Sequence, residues 1–379
     1  LLLTLIFTCT ACGIKATESL PQGTFQGVAN GRGGEVTVSV TLEEGKIANI
    51  EVLSHSESEG LDQAMDLLST EILATNNPNV DVISGATITS VAFRLAVKDA
   101  LKNAKVDEAL LIKKDKPAPE KREANYYTDV IVIGAGGAGL TAAITAAEHG
   151  KDVIVLEKMP MAGGNTLISG GEYAAPNNWV QLKDGLEDNK DLFYEDTLKG
   201  GDHEADPSLV RILADQALDG ALWLRDEINM VFEDYQLFFG GHSVMRSLVP
   251  RNATGYEMIL KLTQKLESTS SPLHLNTKAT ELLVDDQGRV TGVVADYHGE
   301  TIHYHAKNGV IIASGGFGNN LDMRKHYNPS MDESYLSTNS VGSTGDGIVM
   351  AEDIGAAITD MAFIQAYPTC DTQSGAWLY

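Results

Sequence analysis

The chain has 379 residues, of which 43% are hydrophobic and 21% charged, and these globular values argue against a disordered chain. The length suits two or three domains. With 28 Lys and Arg residues against 52 Asp and Glu residues, the formal net charge is −24, which argues against nucleic acid or anionic lipid headgroups as main partners. The 3 cysteines are too few for a disulfide framework.

The chain opens with an apolar segment, residues 1–8, which is followed by Cys9 and Cys12. This segment is typical of the end of a signal peptide and is too short to span a bilayer. Small residues before Cys12 resemble a bacterial lipobox, although Cys9 stands where an aliphatic residue is usual. We therefore expect residues 1–19 to be a lipoprotein-type signal and tether, with a lipid on Cys12 anchoring an exported protein at the bacterial cell surface or periplasmic side. Secretion without a lipid and a redox Cys9–Cys12 pair remain alternatives.

Residues 20–112 are predicted to form a small α+β domain. Valines alternate with polar residues over positions 36–40, which indicates a strand, and positions 44–46 suit a hairpin turn. The spacing of apolar residues predicts helices over 61–73 and 91–104.

Residues 81–90, between the two predicted helices, have the sequence DVISGATITS. A loop of small residues ahead of a helix exposes backbone N–H groups and hydroxyls, so it can hold a phosphate. Capping of the helix by Ser84 or by one of the threonines is the structural alternative.

The pattern Asp-x-x-Ser-Gly-Ala-Thr in this loop resembles the flavinylation motif of the FMN-binding domain family, and the resemblance extends upstream to Gly27 and to Gly33-Gly34. It implies that Thr87 carries covalent FMN through a phosphoester bond, which a flavin transferase makes, and that Asp81 serves during this modification. The other matching positions are Ser84, Gly85 and Ala86.

Residues 113–125 are rich in charge and contain two prolines, which predicts a linker to a second domain over residues 126–379. Within that domain, residues 280–304 alternate around a turn and predict a β-meander. Residues 309–313 are apolar and predict a buried strand that leads into Ser314-Gly315-Gly316.

The second domain begins with a strand, a glycine turn and a helix that have the G-x-G-x-x-G spacing. Gly134 makes the turn, Gly136 lets the backbone approach a pyrophosphate, and Gly139 permits close helix packing. The next strand ends in Glu157, which can accept ribose hydroxyl groups. Together these features predict Rossmann-type dinucleotide binding.

The residues after Glu157 favour FAD over NAD. The glycine-rich segment 163–171, the strand end at 311–317 and the loop at 342–347 resemble the fumarate reductase/succinate dehydrogenase flavoprotein family. The resemblance implies non-covalent FAD and an α/β fold class, with a small α+β FMN-binding domain followed by a Rossmann-type FAD-binding domain with a β-meander. The FAD-binding positions are then Gly134, Gly136, Gly137, Ala138, Gly139, Glu157, Lys158, Gly163, Gly164, Asn165, Thr166, Ser169, Gly170, Gly171, Ala279, Ser314, Gly315, Gly316, Thr344, Gly345 and Asp346.

Tyr367 is the predicted substrate contact. By the same resemblance it marks the junction with a capping domain, where fumarate reductases have His and urocanate reductases resemble this chain in having Tyr. A neutral Tyr offers a hydroxyl and a ring face, which suits a monocarboxylate with an aromatic or polar tail. Packing at the domain junction is the alternative role for Tyr367.

The segment 240–250 resembles a family segment that often contains Arg-x-His-Arg-Pro. Leu248 and Val249 replace its His and second Arg, which removes anchors for a dicarboxylate and would fit an apolar tail. His242 is expected to be structural. By the family pattern the catalytic Arg lies beyond Tyr379, so we expect this sequence to be a fragment without the capping domain and the C-terminal FAD segment.

The resemblance implies an exported reductase that transfers hydride from FAD to an α,β-unsaturated carboxylate, with urocanate favoured over fumarate. Only one G-x-G-x-x-G motif is present, so electrons are expected from a membrane or extracellular donor through the FMN. A reductase of fumarate or of an acrylate- or cinnamate-type enoate is one alternative, and a cell-surface flavin electron carrier is another. The sequence contains no cluster of Cys and His residues that would predict a metal site.

Overall fold

The computed structural model describes residues 21–31, 33–57, 61–83, 86–111 and 113–366. Five residues that the sequence singled out therefore lie outside the described residues, namely Cys9, Cys12, Ser84, Gly85 and Tyr367. In the part of the chain that is described, no helix is both long enough and apolar enough to cross a membrane.

The described chain divides into two compact units, and the first of them comprises the described residues up to Glu57 together with Met65–Val82 and Ile88–Pro117. Its strands form a three-stranded antiparallel sheet in the order β1-β2-β3, and the turn at Glu44-Gly45 confirms the predicted hairpin. The elements are β1 (Gly23–Asn30), β2 (Glu35–Glu43), β3 (Lys46–His55), α1 (Asp62–Thr75) and α2 (Thr87–Asn103).

The core of the first unit follows from the alternation in β2, where Val36 and Val38 are fully buried. Helix α2 lies directly against β1, because a Cβ atom on Gly27 would collide with the backbone of Ala96 and Ala100. Only glycine allows this close approach at position 27.

Helix α2 begins at Thr87, earlier than the predicted start at Val91. Thr87 and Thr89 therefore lie inside its first turn, and the interpretation of the threonines as caps of a helix starting near Val91 is wrong. The physical reason is that Thr89 and Ser90 are buried, at 2% and 0% exposure, so packing extends the helix toward its N-terminus.

The second unit contains a six-stranded sheet in the order β10-β11-β12-β4-β5-β9. The pairs from β12 to β9 are parallel and the pairs from β10 to β12 are antiparallel, which confirms the α/β fold with a meander. A smaller sheet has the order β6-β8-β7. The strands are β4 (Asn125–Ile133), β5 (Val153–Leu156), β6 (Tyr173–Ala174), β7 (Phe232–Leu237), β8 (Ser247–Pro250), β9 (Leu273–His274), β10 (Thr277–Val284), β11 (Val290–Tyr297) and β12 (Glu300–Ile312).

Helices cover one face of the larger sheet. Val132 and Val155 from the sheet pack with Leu140 and Ile144 of α3 and with Leu262 of α8, all nearly fully buried. The helices of this unit are α3 (Gly137–Glu148), α4 (Gly164–Ile168), α5 (Trp179–Asp184), α6 (Lys190–Gly200), α7 (Pro207–Asp226), α8 (Tyr256–Ser268), α9 (Leu321–Tyr327) and α10 (Asp346–Asp353).

Residues 309–312 form a strand, as predicted, but they are not buried as expected. They continue the long strand β12, whose pairing with β4 shifts register between Ala306 and Gly309. Gly309 has a φ of 149° at this irregularity. Ile311 and Ile312 are 38% and 40% exposed, so this end of the strand is not buried.

Leu248 and Val249 lie on β8 and are both 0% exposed. Leu248 packs with Phe193 and Ala217 in the apolar core of the smaller sheet. In the described part of the chain these side chains therefore stabilise the fold, and the structure does not place them where a substrate tail could lie against them.

A polar aromatic cluster lies where β9 leads into β10. His274 Nδ1 is 2.8 Å from the Tyr304 hydroxyl, and the Tyr126 ring stacks on the Tyr304 ring at a centroid distance of 5.0 Å. Burial, together with the nearby charge of Arg122, lowers the pKa of His274 to about 4 from its ordinary 6.5. Burial raises the pKa of Tyr304 to about 12.

The fold should therefore lose stability as His274 is forced to take up a proton. Because its folded pKa lies below its unfolded value, its contribution is complete above pH 6.5 and is lost as the pH falls toward about 4. The upper bound on this loss is about 3 kcal/mol. Urea unfolding at pH 7 and pH 4.5 should show a smaller acid loss for His274→Asn than for the wild type. The exposed His149→Asn is the control, and an unchanged acid loss in His274→Asn would contradict the prediction.

Candidate functional site

The glycine turn after β4 has the geometry that its spacing predicts. Gly134 has a φ of 102°, and a Cβ atom on Gly139 would collide with the Gly134 carbonyl oxygen. Gly136 is the N-cap of α3 and has no side chain to cap the helix. The Gly137 N–H donates to Thr166 Oγ1 at 3.2 Å, and the N–H groups that follow it lie at a helix N-terminus, which favours an anion. Gly136 also bridges to Gly163, which brings the second glycine-rich segment beside the first.

Glu157 braces this turn. Its side chain accepts the Ala135 N–H at 2.8 Å through Oε2 and the Met159 N–H at 2.8 Å through Oε1. Burial raises the pKa of the Glu157 carboxyl, although these N–H groups and Lys158 oppose the effect. A carboxylate can accept about four hydrogen bonds, so Glu157 can still accept a ribose hydroxyl.

Lys158 links two segments that are far apart in sequence. Its Nζ lies 2.7 Å from Asp346 Oδ2 and 2.6 Å from Thr344 Oγ1, which ties the end of β5 to the start of α10. Burial alone would raise the pKa of Asp346, but the hydrogen bond and charge of Lys158 hold it below its ordinary value. Asp346 also lies 3.7 Å from Lys278 Nζ, so the carboxylate stays ionised between two cations.

These groups surround one cleft within the second unit, with a volume of about 170 Å³. Most of the predicted FAD-binding residues line it. Those residues are Gly134, Gly136, Gly137, Ala138, Glu157, Lys158, Gly164, Asn165, Thr166, Ala279, Ser314, Gly315 and Asp346.

The other predicted positions do not line the cleft. Gly139 packs closely against Gly134, Gly163 pairs with Gly136, and the Thr344 hydroxyl oxygen accepts a hydrogen bond from Lys158 Nζ. The remaining positions are Ser169, Gly170, Gly171, Gly316 and Gly345.

Sequence reasoning missed several lining residues. Two signals in the sequence could have found some of them. Ligands bind at the carboxyl ends of parallel strands, and the loop 342–347 already resembled a flavin-binding loop. The missed residues are Ile133, Leu156, Met159, Thr277, Lys278, Ala313, Ser340, Gly342, Ser343, Gly347 and Met350.

Thr87 is exposed at the start of α2, and Ala86 before it is buried. Asp81 is exposed. The remaining motif residues, Ser84 and Gly85, lie outside the described residues.

His242, near the smaller sheet, packs edge-on against Phe193 at a ring-centroid distance of 6.0 Å. Burial and the charge of Arg246 lower the pKa of His242. Elsewhere, the described residues contain no group of three or more His, Cys, Asp or Glu side chains that could hold a metal ion.

Comparison with known proteins identifies both units. A family model for an FAD binding domain matches residues 129–376. The chain belongs to this FAD-binding family. A second model, for an FMN-binding domain, matches residues 31–102, so this FAD-binding protein also carries an FMN-binding domain.

Relatives of this FAD-binding protein include reductases. It is 48% identical over 360 residues to a urocanate reductase of Eggerthella lenta, covering 94% of this chain and 59% of the relative. It is 35% identical over 358 residues to an NADH:fumarate oxidoreductase of Klebsiella pneumoniae, covering 93% of this chain and 37% of the relative. The chain thus spans between about a third and three fifths of the length of these curated relatives.

Among solved structures, the FAD-binding protein resembles the open conformation of a flavocytochrome c3 fumarate reductase, with a TM-score of 0.64 and 36% sequence identity. The match covers 67% of this chain and 45% of that structure. The described cleft therefore belongs to a fold that occurs in a known flavin-dependent reductase.

Proposed function

We propose that this protein is an exported reductase that adds two hydrogens across the C=C bond of an α,β-unsaturated carboxylate, with urocanate favoured over fumarate. The observation that carries the proposal is the joint presence of a glycine-lined cleft and an FMN-binding domain in a chain that is 48% identical to a urocanate reductase. Fumarate and acrylate- or cinnamate-type enoates are the alternative substrates.

The residues of the cleft fit FAD. The Gly136 and Gly137 positions leave a backbone surface, and the N-terminus of α3 offers N–H groups for the pyrophosphate. A Cβ atom on Gly347 would collide with the Ser314 side chain, so this wall is also as close as glycine allows. When bound, FAD supplies the hydride for the C=C bond. Glu157 would bind the ribose, and the Lys158–Asp346 pair would fix the opposite wall of the cleft.

Thr87 is proposed to carry covalent FMN. The Thr87 Oγ–P bond would form as the bond between the FMN phosphorus and the AMP half of a donor FAD breaks. AMP would leave, and the hydroxyl proton would pass to a base of the flavin transferase. The exposure of Thr87 at a helix N-terminus supports this assignment, because the phosphate would lie where backbone N–H groups favour an anion.

Electrons are proposed to enter from a membrane or extracellular donor through this FMN. Saturation of a C=C bond takes two electrons and two protons, one of the protons travelling with the electron pair as hydride. Tyr367 is proposed to select the substrate, because a neutral hydroxyl suits the tail of a monocarboxylate better than a second carboxylate. A lipid on Cys12 would hold the exported protein at the membrane surface.

The test uses the full-length, flavinylated protein without oxygen, and it follows oxidation of a reduced viologen dye as urocanate, fumarate, acrylate or cinnamate is added. Fast oxidation with urocanate alone is expected. Fast oxidation with fumarate instead would keep the reaction class and overturn the substrate. No oxidation with any of the four, despite bound FAD and FMN, would overturn these substrates and favour either a flavin electron carrier or a reductase of another enoate.

A further inference from the structure

We propose that Glu57 is a positioning residue for the modification of Thr87, acting through Thr89. This inference rests on the proposed attachment of FMN to Thr87. Glu57 lies just after β3, outside the motif that predicts flavinylation, and is only 6% exposed.

Both oxygens of the buried Glu57 carboxylate accept hydrogen bonds. Oε1 accepts the Gly33 N–H at 2.7 Å, and Oε2 accepts the Thr89 hydroxyl. A Cβ atom on Gly31 would collide with the Glu57 carboxylate, so the glycine-rich turn before β2 closes tightly around it. One side chain thus joins that turn to the first turn of α2.

The helix itself explains why a carboxylate belongs there. An α-helix N-terminus favours negative charge, yet the first turn of α2 contains no acidic residue. Glu57 supplies this charge from a different segment of the chain, and it supplies an acceptor for a hydroxyl that would otherwise be buried without its hydrogen bond. Thr89 is 2% exposed, so water could not readily take the place of the carboxylate as acceptor for its hydroxyl.

Thr87 and Thr89 are two residues apart on one helix, which turns about 100° per residue, so they point in nearly opposite directions. Accordingly Thr87 is exposed while Thr89 is buried. Fixing Thr89 inward therefore fixes the direction in which the Thr87 hydroxyl is presented. An attack on phosphorus depends steeply on such alignment, because a misplacement of 1 Å can cost about 100-fold in rate.

The test measures the initial rate and extent of FMN incorporation into the full-length protein by a flavin transferase, using mass and in-gel fluorescence. Glu57→Ala is the direct variant but can unfold the domain, so Thr89→Val and Thr89→Ser carry the test. Thr89→Val keeps the shape and removes the hydroxyl, and it should lower kcat of the transferase about tenfold with KM unchanged. Thr89→Ser keeps the hydroxyl and should restore the rate.

Thr75→Val is the matched control. Thr75 is 5% exposed and its hydroxyl donates to the Glu71 carbonyl at 2.7 Å, away from α2, so its loss should leave the modification rate unchanged. Three results would overturn the role of Glu57 without affecting the FMN assignment. They are equal modification rates for Thr89→Val and the wild type, failure of Thr89→Ser to restore the rate, and an equal loss of rate in Thr75→Val. If the wild type gains no FMN, or Thr87→Ala still gains it, the FMN assignment falls and this inference falls with it.

Discussion

The Thr87→Ala protein is expected to contain no covalent FMN and, if electrons enter through that FMN as proposed, to lose electron input from the donor. Alanine has no oxygen to form the bond to phosphorus, so the attachment should vanish completely. A tethered cofactor acts at millimolar effective concentration, and a freely dissolved micromolar flavin cannot replace it. Donor-driven reduction of the substrate should therefore fall at least about 100-fold.

Three readouts check this expectation: intact mass, FAD released by heating, and substrate reduction driven by the natural donor. FAD content should stay at the wild-type level, because Thr87 lies at the start of α2 and is not among the residues that line the cleft. Thr87→Ser keeps a hydroxyl and should still accept FMN. Retention of the FMN mass in Thr87→Ala, or an unchanged donor-driven rate, would refute the assignment.

Local patterns in the sequence predicted most of the dinucleotide cleft. A glycine turn between a strand and a helix is specified by neighbouring residues, so Gly134, Gly136 and Gly139 could be assigned without knowledge of distant parts of the chain. Glu157 was found for the same reason. Its bonds to backbone N–H groups were not, because sequence does not reveal how a carboxylate divides its lone pairs.

Contacts between distant residues could not be predicted in this way. Glu57 meets Thr89 across a separation of 32 residues, and Arg246 meets Asp188 across 58. Such pairs depend on how the elements pack, which no periodicity encodes. The predicted burial of residues 309–312 in β12 was wrong for a related reason, since the burial of a strand also depends on how distant elements pack.

The Arg246–Asp188–Asp196 cluster is one of these unpredicted contacts. Arg246 and Asp188 have 0% exposed side chains, and Asp196 has 6%. Arg246 Nε lies 2.9 Å from Asp188 Oδ2, and Nη1 lies 2.6 Å from Asp196 Oδ2. Burial alone would lower the pKa of Arg246, but the two aspartates more than offset it and hold that pKa above its ordinary value.

The cluster stabilises the segment that leads into β8, and β8 leads to the glycine-rich segment of the cleft. Pro250 at the end of β8 packs against Gly171, and the Gly255 N–H donates to the Ser169 carbonyl at 2.7 Å. Loss of Arg246 should therefore weaken FAD retention as well as the fold.

Arg246→Met should reduce the free energy of unfolding by about 3–5 kcal/mol, because it leaves two buried carboxylates without their cation. The chain offers a matched control in Arg211, which also pairs with two aspartates, at 2.8 and 2.6 Å, and lies over the Tyr194 ring at 4.9 Å, as Arg246 lies over Phe193 at 5.0 Å. Arg211 is 33% exposed, so water can solvate the partners that Arg211→Met leaves behind, and its effect should be small.

Denaturant unfolding of the two variants separates buried charge from lost packing. Adding Asp188→Asn and Asp196→Asn to Arg246→Met removes the uncompensated charges and keeps acceptors for Gln181 and Ser243, so it should recover part of the lost stability. If Arg246→Met and Arg211→Met reduce the free energy of unfolding equally, the buried cluster contributes no more stability than a surface ion pair. If the triple variant recovers nothing, the loss comes from packing of the long Arg246 side chain, and charge compensation is not what stabilises this part of the FAD-binding unit.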